Sequence, residues 1–255
     1  LIALEKSPNA MSDCRLAGHD CWTAGTEAEA LEPQSIDLAF SNELLDAFPV
    51  HRVIWQGPGS GWEEVYVTQG AAPGSLRSGP GPVTCHELGE HLEQINAAEF
   101  EPGHTTEVNM GVAPWLASMK RVLVPGGKLL VIDYGLSAEA YFAASRLDGT
   151  LQAYHHHQRV TDVLARPGEQ DLTAHVNFTQ VEANARMMGL HVSRFEEQPR
   201  FLTSLASETL LEMEKKQAGT APDAAAMKWM RQFRQLLSMG PTFKVMELTN
   251  RVASP

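Results

Sequence analysis

Apolar runs of four to eight residues, bounded by turn residues and alternating with longer stretches of helical spacing, predict strands and helices around a largely parallel sheet. Leu1–Leu4 reads as the first strand, ending at Glu5-Lys6-Ser7-Pro8, where Ser7 and Pro8 suit the cap and first turn of a helix. Ser35–Ser41 is a second buried strand, running directly into Asn42-Glu43-Leu44-Leu45-Asp46-Ala47-Phe48-Pro49-Val50. His51–Trp55 and Trp62–Val67 flank a Gly-rich hexapeptide and predict a hairpin. A phosphate loop would need a helix after those glycines, whereas Trp62–Val67 alternates like a strand. Residues 70–82, rich in Gly, Pro and Ser, read as an exposed loop. Val108–Val122 has helical spacing and stops at Pro125-Gly126-Gly127, after which Lys128–Asp133 is a buried strand ending in Tyr134-Gly135. Residues 136–178 are less regular. Beyond them the pattern predicts a helix over Phe178–Gly189, a strand over His191–Phe195, helices over Leu202–Leu211 and Ala224–Leu237, and a final strand over Phe243–Leu248.

A chain of 255 residues with 43% hydrophobic content can bury one substantial core. Its net charge of −11 disfavours a phosphate backbone as partner, so no nucleic acid is expected. Cys14, Cys21 and Cys85 lack Cys-x-x-Cys spacing and are too few for a disulfide framework, which predicts a reducing, cytoplasmic setting. No stretch reaches the roughly 18 apolar residues of a membrane span. The chain opens as a strand already in progress, as though cut from a longer one.

In an open parallel sheet, ligands lie beyond the carboxyl ends of the strands, and polar residues collect at three such ends here. Glu5 follows the first strand, where a carboxylate can accept both hydroxyls of a ribose; Asn42 and Glu43 follow the second; Asp133 and Tyr134 follow the third. Taken singly, each also reads as a cap or a solvated turn. Other candidates carry less. His155-His156-His157 has no accompanying carboxylate or cysteine spacing, and His86 and His91 miss the His-Glu-x-x-His spacing, so no metal is expected. Ser41 lacks the glycine-flanked elbow of a hydrolase nucleophile.

Together, Asn42–Val50, Ile132-Asp133-Tyr134-Gly135 and Pro167–Phe178 resemble blocks of the MidA-like (DUF185) class I methyltransferases, and the likeness extends over nearly the whole chain. The resemblance implies a Rossmann-like α/β sheet with helical insertions that binds S-adenosylmethionine. It divides the chain into a partial cofactor-binding core at 1–135, an insertion at 136–178 and the rest of the core at 179–255, with a helical insertion at about 205–240. The family's glycine-rich cofactor turn and its preceding strand are expected upstream of Leu1. By the same resemblance Glu5 binds the ribose, Trp22 or Cys21 borders the adenine, and Asn42 and Glu43 lie beside the methyl donor; Asp133 and Tyr134, at the third strand end, are the candidates for the substrate side. Glu43 and Asp46 are the catalytic candidates. They are three residues apart and would share a face if 43–48 turned helically, ready to hold a guanidinium. The resemblance further implies a protein substrate with arginine as acceptor, and the mitochondrial matrix if the source is eukaryotic. The competing expectations are a non-catalytic assembly module on the same sheet and, third, a nucleotide-dependent oxidoreductase.

Overall fold

The computed structural model describes residues 2–5, 20–23, 31–72, 74–217, 224–238 and 240–251. Its main sheet is built on β8 (Leu123–Leu136), flanked on one side by β3 (Ile36–Asn42) and on the other by β14 (Phe243–Asn250) and β13 (Leu190–Glu197). β3 runs parallel to β8, whereas β14 is antiparallel to both β8 and β13. The two-residue strand β12 (Val176–Asn177) joins the end of β8 at Gly135–Leu136. A Cβ at Gly135 would stand 2.1 Å from the Val176 carbonyl oxygen, so this close join requires glycine.

Side chains of β8 alternate between two cores. Leu129 and Val131, with Met246 and Leu248 of β14, face α2 (Val112–Val122) and α4 (Phe178–Met187). Ile132 and Val245 face the opposite way, onto Phe201 of α5 (Gln198–Leu205). Apolar residues at 112, 115, 116, 119 and 122 give α2 one buried stripe. The side chain of Asn177 accepts a hydrogen bond from the Gln180 N–H at 3.2 Å and so caps α4, which closes at Gly189 with φ +75°. The result is a sheet with helices on both faces, but it is mixed, and not the largely parallel sheet that the alternation of elements predicts, because β14 runs against both of its neighbours.

Between β3 and β8 the chain builds a second sheet, ordered β6-β5-β4-β7 and antiparallel throughout, from β4 (His51–Trp55), β5 (Trp62–Gln69), β6 (Leu76–Gly81) and β7 (Thr105–Val108). Helix α1 (His86–Glu93) buries Leu88 and Leu92 against Val53 and Val108 of this sheet. The span 1–135 therefore holds more than one core. The predicted hairpin is present as β4–β5, but residues 70–82 are not a plain loop. Pro80 and the glycines are tolerated in β6 because it is an edge strand, and Gly81 lies under the Tyr66 ring where a Cβ would be 2.9 Å from it. Helical spacing also hid β7 and the turn after it, so α2 begins at Val112 rather than Val108.

Residues 136–178 contain α3 (Ala138–Tyr141) and a small sheet, β10-β9-β11, from β9 (Gln152–His155), β10 (Gln158–Val160) and β11 (Asp171–Thr173). His156 and His157 are turn residues with φ of 50° and 61° between β9 and β10. The helix expected at Leu202–Leu211 is two helices, α5 and α6 (Ser207–Gln217), divided at Ala206. Helix α7 (Ala224–Leu237) matches its predicted limits and turns Ala226 and Phe233 inward. At the N-terminal end, β1 (Ile2–Glu5) and β2 (Asp20–Thr23) form a parallel two-stranded ribbon that pairs Ala3 with Cys21 and Leu4 with Trp22. The helix start expected at Ser7-Pro8 lies outside the described residues.

Candidate active site

The ends of β3 and β8 meet at one buried carboxylate. Asp133 has no exposed surface, and its Oδ2 accepts N–H groups from Leu44 (3.2 Å), Leu45 (3.0 Å) and Asp46 (3.4 Å), while Oδ1 accepts the Tyr134 N–H at 2.9 Å. A single carboxyl thus fixes the turn that follows β3. Leu45 is drawn into the core beneath it, and its carbonyl receives Asn109 Nδ2 at 3.1 Å. Asn109 is held in turn by Gln180 of α4 through its own carbonyl at 2.8 Å.

Residues 43–48 do not form a helix, so Glu43 and Asp46 do not share a helical face as the spacing suggested. Glu43 takes a left-handed conformation, φ 48°, while its N–H extends the ladder to the Ile132 carbonyl at 3.0 Å. That conformation costs a non-glycine residue about 1–2 kcal/mol, and it turns an exposed carboxylate out at the strand end beside Asn42, whose amide nitrogen lies 3.3 Å from it. Asp46 is 5% exposed instead. Its Oδ2 receives a hydrogen bond from the Tyr134 hydroxyl, and its Oδ1 has no hydrogen-bond partner among the described residues.

The electrostatics follow from this crowding. Burial raises the Asp46 carboxyl above the ordinary range, with the Tyr134 hydrogen bond opposing the shift. Burial and the neighbouring Asp46 push Asp133 up to about 7. Burial, and then the acceptor Asp46, hold the Tyr134 hydroxyl well above its usual range, so it remains a donor.

Three residues that sequence reasoning did not name as site residues join this cluster. The ring of His175 packs edge-on to Tyr134 at 5.5 Å, its Nδ1 is buried without a partner, and burial followed by Arg146 lowers its pKa, which favours the neutral imidazole. The His175 N–H donates to Thr150 Oγ1 at 3.1 Å, and Thr150 donates from N (2.7 Å) and Oγ1 (2.9 Å) to Glu107 Oε2. Glu107 is 1% exposed, and burial raises its pKa. A Cβ at Gly149, where φ is +70°, would stand 2.3 Å from Glu107 Oε1. No local pattern marks Glu107, which follows Thr105 and Thr106 on β7.

Asn42, Glu43, Asp46, Asp133 and Tyr134, predicted separately from two strand ends, are therefore neighbours. Glu5, Cys21 and Trp22 belong to the β1–β2 ribbon, and their side chains lie outside the described residues. No group of three or more His, Cys, Asp or Glu among the described residues is arranged to hold a metal. No helix among them is long and apolar enough to cross a membrane.

A layered α/β sheet with an antiparallel last strand, and polar residues gathered where β3 and β8 end, has the architecture of a class I methyltransferase. The fold matches a Burkholderia thailandensis protein crystallised with S-adenosyl-homocysteine, at a TM-score of 0.78 and 23% identity over 97% of this chain and 63% of that one. The chain belongs to the S-adenosyl-L-methionine-dependent methyltransferase family whose sequence profile matches residues 7–196. It is 29% identical over 189 residues to the Drosophila melanogaster homolog of the mitochondrial protein arginine methyltransferase NDUFAF7, covering 71% of this chain and 39% of the fly protein. The Caenorhabditis elegans homolog is 30% identical over 165 residues, 57% of this chain and 32% of the worm protein. The matched stretch thus spans about a third of the length of these curated relatives.

Proposed function

We propose that this protein transfers methyl groups from S-adenosylmethionine to a side-chain nitrogen of a protein, with the arginine guanidinium as the acceptor. The observation that carries the reading is the pinned turn: Asp133 holds residues 44–46 by their amides, so that Asn42 and Glu43 project from the end of β3 while Asp46 is held against Tyr134. The names of the fly and worm relatives support the acceptor.

The residues present fit a cationic donor. Asn42, Glu43 and Asp46 offer amide and carboxylate oxygens, and one carboxylate oxygen of Asp46 is buried without a partner. Glu5, Asn42, Cys21 and Trp22 are the residues assigned to hold the cofactor. When bound, S-adenosylmethionine supplies an electrophilic methyl group on sulfur. The protein's task is then alignment and exclusion of water. Glu43, exposed and turned outward, receives the guanidinium by paired charge-assisted hydrogen bonds. Methylation of the guanidinium nitrogen releases a proton, and Asp46, its pKa raised by burial, is the carboxylate that takes it up while Tyr134 keeps Oδ2 engaged. Asp133, expected at the substrate side, acts from behind as a positioning residue, because its carboxyl is enclosed by backbone amides. Thr150 and Glu107 set the backbone of His175, whose ring braces Tyr134.

Glu43→Gln in the full-length protein tests this. Methyl transfer to an arginine peptide should fall about 100-fold, while calorimetric binding of S-adenosylmethionine changes little. Unchanged turnover removes Glu43 from the mechanism, and no binding heat with the unmodified protein would leave only a non-catalytic assembly module.

A further inference from the structure

The second sheet and α1 line an open recess of about 590 Å³, and none of its lining residues belongs to the Asp133 site. Trp55 and Trp62 stand with ring centres 5.3 Å apart and planes inclined at 59°, and Trp62 meets Phe100 at 6.0 Å and 83°. Rings so steeply inclined can turn faces or edges toward one volume from different directions. Phe100 is held in place by His104, stacked on it at 3.9 Å and 8°. Leu92, Val83 and Ile95 complete an apolar floor. A Cβ on Gly89 of α1, which also lines the recess, would meet no atom within 4 Å, so the helix leaves that side open.

Charge decides what such a recess suits. Glu93 is the one charged side chain in its lining. Residues 56–103, which supply all the lining except Trp55, contain seven glutamates and no lysine, with Arg77 on β6 the single arginine. A purely apolar ligand would gain nothing from that bias. A cation carrying alkyl groups would gain from both, because its methyl or methylene surface is desolvated against the rings while the positive charge meets aromatic faces and Glu93.

We propose that this recess binds an organic cation bearing alkyl groups, of the alkylated ammonium or guanidinium class. The site needs no methyl donor and does not depend on the transfer reaction proposed above.

Tryptophan fluorescence of the intact protein, without S-adenosylmethionine, tests it with choline and its neutral isostere 3,3-dimethylbutan-1-ol. Choline should bind about tenfold more tightly, since only the cation gains from the ring faces. Glu93→Gln, at an exposed position, should reduce that preference several-fold, and Gly89→Leu should block both ligands by filling the open side. A short peptide carrying trimethyl-lysine or dimethyl-arginine forms the last arm: tighter binding than choline places the cation on a polypeptide, and weaker binding places it on a free small molecule. Equal or better binding of the neutral isostere overturns the proposal, as does a choline preference unchanged by both substitutions. Because the readout is binding alone, it fails or succeeds independently of methyl transfer.

Discussion

Asp133→Asn replaces the central carboxyl with a group of the same shape and one fewer acceptor. In the native site one oxygen takes three backbone N–H groups and the other takes the Tyr134 N–H, so the amide NH2 of asparagine must face donors whichever way it turns. Leaving buried donors unmatched costs about 1–3 kcal/mol. The pH dependence is more telling than the size of the loss. Folding raises the Asp133 pKa from 3.8 to about 7, which corresponds to about 4 kcal/mol. The folded state therefore binds a proton that the unfolded state has released across this interval. The stabilisation is complete below pH 4 and is lost as pH rises to 7, at about 1.4 kcal/mol per pH unit. Urea unfolding followed by tryptophan fluorescence from pH 4.5 to 8.5 should show this decline in the native protein and a flatter one in the variant. The stability gap between the two should be widest at low pH and narrow towards neutrality. Parallel profiles would refute the assignment of that proton to Asp133.

Tyr134→Phe removes the donor that restrains the Asp46 pKa, so the acidic limb of the pH–rate profile should move to higher pH and urea stability should fall by about 1–3 kcal/mol. Glu43→Gly relieves a left-handed backbone and should raise unfolding stability by about 1 kcal/mol while abolishing transfer, a trade visible by measuring both on one preparation. Gly149→Ala drives a methyl group toward the Glu107 carboxylate at a positive φ, and should lower the melting temperature by several degrees, corresponding to 2 kcal/mol or more by order of magnitude. Thr150→Val deletes the hydroxyl that links Glu107 to His175; slower transfer with unchanged cofactor affinity is expected, and unaltered kinetics would free His175 from any positioning role.

The Leu129–Ile132 run of β8 was legible because period and composition agree in a buried strand, whereas Ile36–Asn42, expected to be buried as well, forms its strand with Leu38 and Phe40 exposed. Leu76–Gly81 was illegible because pairing at a sheet edge overrode glycine and proline. Thr105–Val108 was missed because Val108 also fits the helical spacing of the segment that follows. At the site, polar residues at strand ends pointed to the right corner, while the division of labour did not show. Glu43 and Asp46 look equivalent in sequence, yet a left-handed φ exposes one and a tyrosine encloses the other. Glu107, Thr150 and His175 come from three distant segments, and nothing local announces that one hydroxyl joins them.

The margin of the main sheet has a practical consequence. On the side away from β8, β3 pairs with no strand among the described residues, and Leu38 and Phe40 stand 58% and 62% exposed along it. A strand edge beside apolar side chains is a template for a further strand. A further strand laid along this margin would extend the sheet and cover both side chains, and a lysine at position 40 would weaken that pairing.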